Sequence, residues 1–228
     1  MKKIFYFTVL VFICFSCKKT TTFTISGEVI NDFNGKEIHL AIYDSAWVKE
    51  TVLIDVIQNN QFLFSGNYDY PKAALLKVEN DSTVRPKVIL IEPGKIKVVL
   101  NRANNLFISG TPANKSYQNA LSIENKMKAM EFQFFKEHQE GNITPAREKE
   151  FEKEYNAQFE KVTKAYTDFF KKNINNPLGI EIFETSDWTW RLSANQLESI
   201  LKRAGEEYKK RESYSFFMQR LEDMKRVF

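Results

Sequence analysis

Two cysteines, Cys14 and Cys17, stand three positions apart, the spacing of a dithiol redox pair. Such a pair does thiol–disulfide chemistry when it opens a helix beside a βαβ unit. Here the flanks are different. Lys2 and Lys3 precede an almost unbroken apolar run from Ile4 to Phe15, and Ser16 puts a small residue directly before Cys17. That is the charged, apolar, small-residue order of a secretory signal. A cysteine just after the small residue adds the lipoprotein variant, in which cleavage leaves Cys17 as the new N-terminus and its thiol carries a fatty acyl chain such as palmitate. Cleavage there discards Cys14, so Cys17 is expected to be a lipidation site and the redox pair is lost. An uncleaved membrane anchor and an ordinary secretory signal are the rival readings. The apolar run of about 12 residues falls short of the ~20 that cross a bilayer as a helix, and the polar tract Lys18–Lys19–Thr20–Thr21–Thr22 follows at once.

The other chemistry-bearing residues are sparse. His39 and His138, the two histidines, lie 99 positions apart, whereas metal sites draw several ligands together. No G-x-S-x-G, H-E-x-x-H, GxGxxG or P-loop pattern occurs, and eight glycines leave little for a phosphate-cradling loop. No metal, cofactor or catalytic group is therefore expected. One stretch stands out, Asp187–Trp188–Thr189–Trp190–Arg191. Trp188, Trp190 and Arg191 could form a ligand platform by stacking and cation–π contact; the alternative is that the tryptophans seal a junction between helices. The chain carries 33 Lys and Arg against 29 Asp and Glu. Two of the basic residues are Lys2 and Lys3, so the remainder is nearly balanced, without the basic stripe that nucleic-acid binding needs.

The elements that would position these residues fall into two halves. From Phe23 the pattern has period two, with Phe23, Ile25 and Val29 on one side of a strand. Ile38, Leu40 and Ile42 mark a second strand after the turn at Asn31–Gly35. Val48–Ile57 and Gln61–Gly66 read as a hairpin across Asn59–Asn60. Strands at Ala73–Glu79 and Lys87–Glu92 follow, then a turn at Glu92–Pro93–Gly94–Lys95, a strand through Ile96, Val98 and Leu100, and a last one from Leu106 to Gly110. No interval is long enough for a crossover helix, so mainly antiparallel pairing is predicted, in a sandwich or barrel-like sheet.

After Thr111–Pro112 the period becomes helical. Tyr117, Ala120, Ile123, Met127, Met130 and Phe134 form one stripe, and Phe151, Tyr155, Phe159, Val162, Tyr166 and Phe169 another. Between them Glu140–Gly141–Asn142 breaks the helix and Thr144–Pro145 starts the next. This predicts a long antiparallel helical hairpin. Asn173–Pro177 ends it, a short helix spans 178–185, and Ser193 with Gln196 reads as a capping box for a helix stopping near Gly205. A last stripe, Tyr214, Phe217, Leu221, Met224 and Phe228, has no capping signal and marks Phe228 as a possible contact for a partner or for the chain itself. The fold class is α+β, with a signal at 1–16, a lipidated linker at 17–22, an antiparallel β domain at 23–112 and a helical domain at 113–228.

The order of these features resembles a known family. The opening strand Phe23–Thr24–Ile25–Ser26–Gly27, the Ile91–Glu92–Pro93–Gly94–Lys95 hairpin, Ile108–Ser109–Gly110–Thr111–Pro112 leading into a long helix, and Asn175–Asn176–Pro177 before Leu178–Phe183 look like the domain of unknown function that precedes the thioredoxin-like domain of Gram-negative periplasmic thiol–disulfide oxidoreductases. The resemblance implies no activity here, because no residue matches the family's catalytic cysteines. The resulting expectation is a non-enzymatic lipoprotein, anchored in the cell envelope by lipid and facing the periplasm, with the outer membrane favoured over the inner. It would serve as a binding or scaffold module. Two alternatives stand beside it: an accessory to a separate thioredoxin-like oxidoreductase, and a small-ligand binder using Trp188, Trp190 and Arg191.

Overall fold

The computed structural model describes residues 21–30, 33–43, 49–68, 71–81, 86–101, 106–141 and 143–226. Cys14, Cys17 and Phe228, and with them the lipidation reading and the end of the last stripe, lie outside the described residues. Among these residues an N-terminal region of two β-sheets precedes seven helices, so the chain is α+β. The strands are β1 (Thr21–Ile30), β2 (Glu37–Tyr43), β3 (Lys49–Val56), β4 (Gln61–Tyr68), β5 (Lys72–Val78), β6 (Lys87–Ile91), β7 (Gly94–Asn101) and β8 (Leu106–Ser109). One sheet has the order β4-β1-β7-β8, the other β3-β2-β5-β6. The period-two residues do what their spacing predicts. Phe23, Ile25 and Val29 from β1, Ile38, Leu40 and Ile42 from β2, and Ile96, Val98 and Leu100 from β7 are buried in one cluster shared by both sheets.

Three pairings differ from the sequence expectation. Asn59 and Asn60 do turn the chain, at φ 50 and 60. Yet β3 and β4 part into different sheets after the single Gln58–Gln61 bridge, so they are not a hairpin. The turn at Glu92–Pro93–Gly94–Lys95 likewise passes β6 of one sheet to β7 of the other. Finally, β1 pairs in parallel with β7, Phe23 opposite Gly94 and Ile30 opposite Asn101. Antiparallel pairing dominates elsewhere among the described strands. The parallel pair needs no crossover helix because the intervening chain crosses through the second sheet.

The helices are α1 (Pro112–Gln139), α2 (Pro145–Asn173), α3 (Pro177–Thr185), α4 (Asp187–Trp190), α5 (Ala194–Leu201), α6 (Glu206–Lys209) and α7 (Glu212–Arg226). The first three each begin on a proline, whose fixed φ suits the first helical turn and whose missing N–H would have no partner there. Thr144 accepts from Arg147 N, Asn176 from Gly179 N, and Ser193 with Gln196 forms the expected capping box. The helix predicted to stop near Gly205 ends instead at Leu201, and a separate turn, α6, follows. Along α1 and α2, Tyr117 meets Phe169, Gln158 Nε2 donates to Ile123 O, and Phe134 stacks on Phe151. A second buried cluster, centred on Phe169, Phe170, Phe183, Tyr208 and Phe217, joins α2 to α3, α6 and α7.

The two regions are joined by side chains that complete strand edges. Both β6 and β8 are edge strands, and an edge presents unpaired N–H and C=O groups. Fully buried Asn114 on α1 accepts from Leu90 N at 3.0 Å and donates to Leu90 O at 2.7 Å, as a neighbouring strand would. One turn later, Gln118 accepts from Ile108 N of β8 at 2.6 Å. A single helix face thus closes the edges of both sheets. Gly110 makes the approach possible: its φ is +108, and a Cβ there would collide with Lys95 O.

Candidate binding cleft

Where α1 leaves the sheets it forms one wall of a cleft of about 440 Å³, within the range of small-molecule sites. The floor is Lys87 and Val88 of β6 and Leu106 of β8; the walls are α1 and the α3–α4 corner. Ser186 ends α3 and caps α4, accepting from Trp188 N at 3.2 Å, and this sharp corner turns Trp188 and Arg191 toward Phe159 of α2.

The deep part of the cleft is already satisfied. The Tyr166 hydroxyl donates a very short hydrogen bond to Glu124, whose other oxygen pairs with Lys128 at 2.5 Å. Burial, with Tyr117 and Glu124 nearby, pushes the Tyr166 hydroxyl far above its usual pKa, and burial does the same at Tyr117. Both phenols are therefore held as proton donors, and neither is poised as a nucleophile or base. The mouth differs. The Arg191 guanidinium lies 5.3 Å over the Trp188 ring and 5.8 Å over Phe159, with no carboxylate paired to it among the described residues. Glu131 and Asp187 line the same cleft.

The sequence groups Trp188, Trp190 and Arg191 as one platform, and the structure divides it. Trp188 is 5% exposed, wedged between Tyr166, at 5.7 Å and stacked, and Phe159, at 5.5 Å. It seals a helix junction and offers Arg191 a flat base. Trp190 points away, 52% exposed, against Phe216 and Phe217 of α7 with Arg220 4.9 Å above its ring. Helical spacing explains the split, since residues two apart face opposite ways. Sequence reasoning misses Tyr117, Glu124, Lys128 and Tyr166 as cleft residues. Tyr117 and Tyr166 read only as members of apolar stripes, and nothing local marks Glu124 as an acidic residue of α1 turned inward.

His39 bonds to Glu37 at 2.9 Å on the sheet surface, and His138 lies by the apolar groove of Phe134, Phe135, Phe151 and Tyr155 near the α1–α2 connection. Among the described residues no group of three His, Cys, Asp or Glu could hold a metal ion, and no helix is long and apolar enough to cross a membrane.

A second polar cluster ties α3 to the start of α7. Glu184 accepts from Ser213 Oγ at 2.5 Å and from Arg211 at 3.4 Å. Next to it, burial first and the Glu184 charge second push the Glu181 carboxyl up to about 7, against the opposing pull of Arg211. A carboxyl whose folded-state pKa is raised holds its proton more tightly folded than unfolded, so its share of stability is present at low pH and lost as pH rises from the ordinary 4.5 through 7. Urea titrations at pH 5 and pH 8 should show the wild type weakening across that interval, with Glu181→Gln flattening the decline. An unchanged slope in the variant would remove Glu181 as its source.

Residues 23–117 match the model of a domain of unknown function, DUF4369. The DUF4369 match begins at Phe23 in β1 and ends inside α1, taking in Asn114 and stopping short of Gln118. No curated protein sequence matches the chain. Among solved structures, the chain is similar to the solution structure of CBM25-1 of the beta/alpha-amylase from Paenibacillus polymyxa, at 17% identity over 42% of this chain and 97% of that one, with a TM-score of 0.27. That likeness is too low to bear on fold or function.

Proposed function

We propose that the chain is a non-enzymatic cell-envelope lipoprotein, anchored through Cys17 on the periplasmic side, whose β–helix cleft binds a small polar ligand bearing a carboxylate. The two sheets act as a sandwich around their shared core, supported by the burial of inward residues from both. The helices α1 and α2 form an antiparallel hairpin, supported by contacts that pair Tyr117 with Phe169 and Phe134 with Phe151. Anchorage rests on the Lys2–Cys17 signal pattern.

The observation that carries ligand binding is the Arg191 guanidinium, held 5.3 Å over the Trp188 ring and, among the described residues, paired with no carboxylate at the cleft mouth. A guanidinium fixed in this way presents its N–H fork to a planar carboxylate with little ordering left to do. Glu131 and Asp187 on the same cleft suit an ammonium on the same ligand, which makes a short peptide the favoured class. The reading uses no nucleophile or base. In a Trp47→Phe, Trp190→Phe background Trp188 is the sole tryptophan. Its fluorescence should shift on titration with dipeptides but not with their C-terminal amides. Arg191→Ala should weaken binding about tenfold to a hundredfold, the worth of a charge-assisted hydrogen bond. A flat signal across carboxylates and amides alike would sink the proposal.

A further inference from the structure

Topology places one end of the molecule beside the proposed anchor. The Lys18–Thr20 tether has only three residues, so the four steps from Cys17 to Thr21 reach at most about 14 Å. The start of β1 must then lie close to the lipid. Register defines what else lies at that end. Phe23 is opposite Gly94, the first residue of β7, and Lys97 is opposite Ser109, the last of β8, so the 93–95 and 110–112 turns sit beside the start of β1. From there α1 climbs away from this end: Asn114 bonds Leu90, Gln118 bonds Ile108, and Leu121 shares the cleft wall with Leu106. The end of α2 returns to the near end, since Tyr117 meets Phe169, and Asn175 binds Arg203 O and Gly205 N there.

The near end is cationic. Lys95, Lys115, Lys172 and Arg203 are all exposed, with no ion pair among the described residues. Of the acidic groups on the same or adjoining elements, Glu206 and Glu207 pair with Lys209 and Lys210, Asp168 pairs with Lys164, and Glu92 accepts from Ala113 N. The opposite end, about 40 Å away along the 28-residue α1, carries exposed Phe132 and Phe135. We infer that this near end is a membrane-contact face for anionic phospholipid, so that the molecule stands on its bilayer with the α1–α2 connection directed away from it. Basic residues close to an anionic leaflet are each attracted within a Debye length, the range the tether imposes.

This inference rests on the Cys17 anchor, and the test separates the two. The full chain is processed in cells, extracted, checked by mass for acyl groups on Cys17, and reconstituted in vesicles of phosphatidylethanolamine with phosphatidylglycerol. With Cys14 removed and Cys17 acylated, a cysteine introduced by Pro93→Cys or Lys172→Cys (near), or by Phe132→Cys or Gln139→Cys (far), is the only free thiol for a fluorophore. Headgroup-linked quencher lipid should quench the near labels at least threefold more than the far ones. That difference should shrink toward what the tether alone gives in phosphatidylcholine vesicles, or when Lys95, Lys115 and Arg203 are changed to Glu; an undiminished difference in both would overturn the electrostatic contact. Equal quenching at both ends of an acylated protein overturns the contact face and leaves the anchor standing. An unacylated Cys17 overturns both.

Discussion

Replacing Phe183 with alanine should cost about 3–5 kcal/mol, the usual penalty for emptying a buried aromatic site. Phe183 is fully buried, and its ring meets Phe170 at 5.1 Å, Phe217 at 4.7 Å and Tyr208 at 6.2 Å. Those three neighbours come from α2, α7 and α6, so no single helix can shift to fill the void. Domains hold a margin of roughly 5–15 kcal/mol, which makes the variant marginal or unfolded in a urea melt followed by circular dichroism. Phe132→Ala is the control: that ring is 70% exposed, and its loss should move stability by less than about 0.5 kcal/mol. A Phe183→Ala loss below about 1 kcal/mol would show that the helical region does not depend on this hub.

The second large effect is expected at Asn114. Its amide is the hydrogen-bonding partner of both Leu90 N and Leu90 O, and it also donates to Thr111 Oγ1 at 2.8 Å. Asn114→Ala strands two buried backbone groups at about 1–3 kcal/mol each, hence a loss of roughly 2–6 kcal/mol. The defect should be local before it is global. Hydrogen exchange at the Leu90 amide should accelerate by orders of magnitude, while that of Ile25, in the centre of the other sheet, follows global stability alone. Asn114→Asp sharpens the assignment, because it keeps the acceptor for Leu90 N–H and loses the donor to Leu90 O. Wild-type exchange at Leu90 in Asn114→Ala would mean that the edge strand finds another partner.

Both sites show why some of the structure could be read in the sequence and some could not. Burial alternation marks every strand it touches: Ile38, Leu40 and Ile42 are inward because period two leaves them no other face. The helical stripes are equally direct, and the Thr144–Pro145 and Ser193–Gln196 starts follow from local capping chemistry. Sheet membership is not local. Asn59–Asn60 and Pro93–Gly94 turn the chain whether or not the flanking strands pair, and nothing in either turn says that the next strand joins the opposite sheet. The parallel partner of β1 begins 71 residues later in register, beyond any pattern read through a short window. In the cleft, Trp188 and Arg191 are noticeable because tryptophan is rare, whereas Glu124 looks like any other helix-surface glutamate until Tyr166 arrives from α2. Asn114 and Gln118 look like ordinary polar residues in the first turns of a helix.

The position of β1 has a mechanical consequence. It is an interior strand, hydrogen-bonded to β4 on one side and β7 on the other along nearly its whole length. A pull on the N-terminus along the strand axis would load both ladders in shear, many bonds sharing the force at once. The same tether attached to an edge strand such as β6 or β8 could be peeled bond by bond. A chain drawn taut from its N-terminus would therefore yield first in its helices, with the sheets still closed.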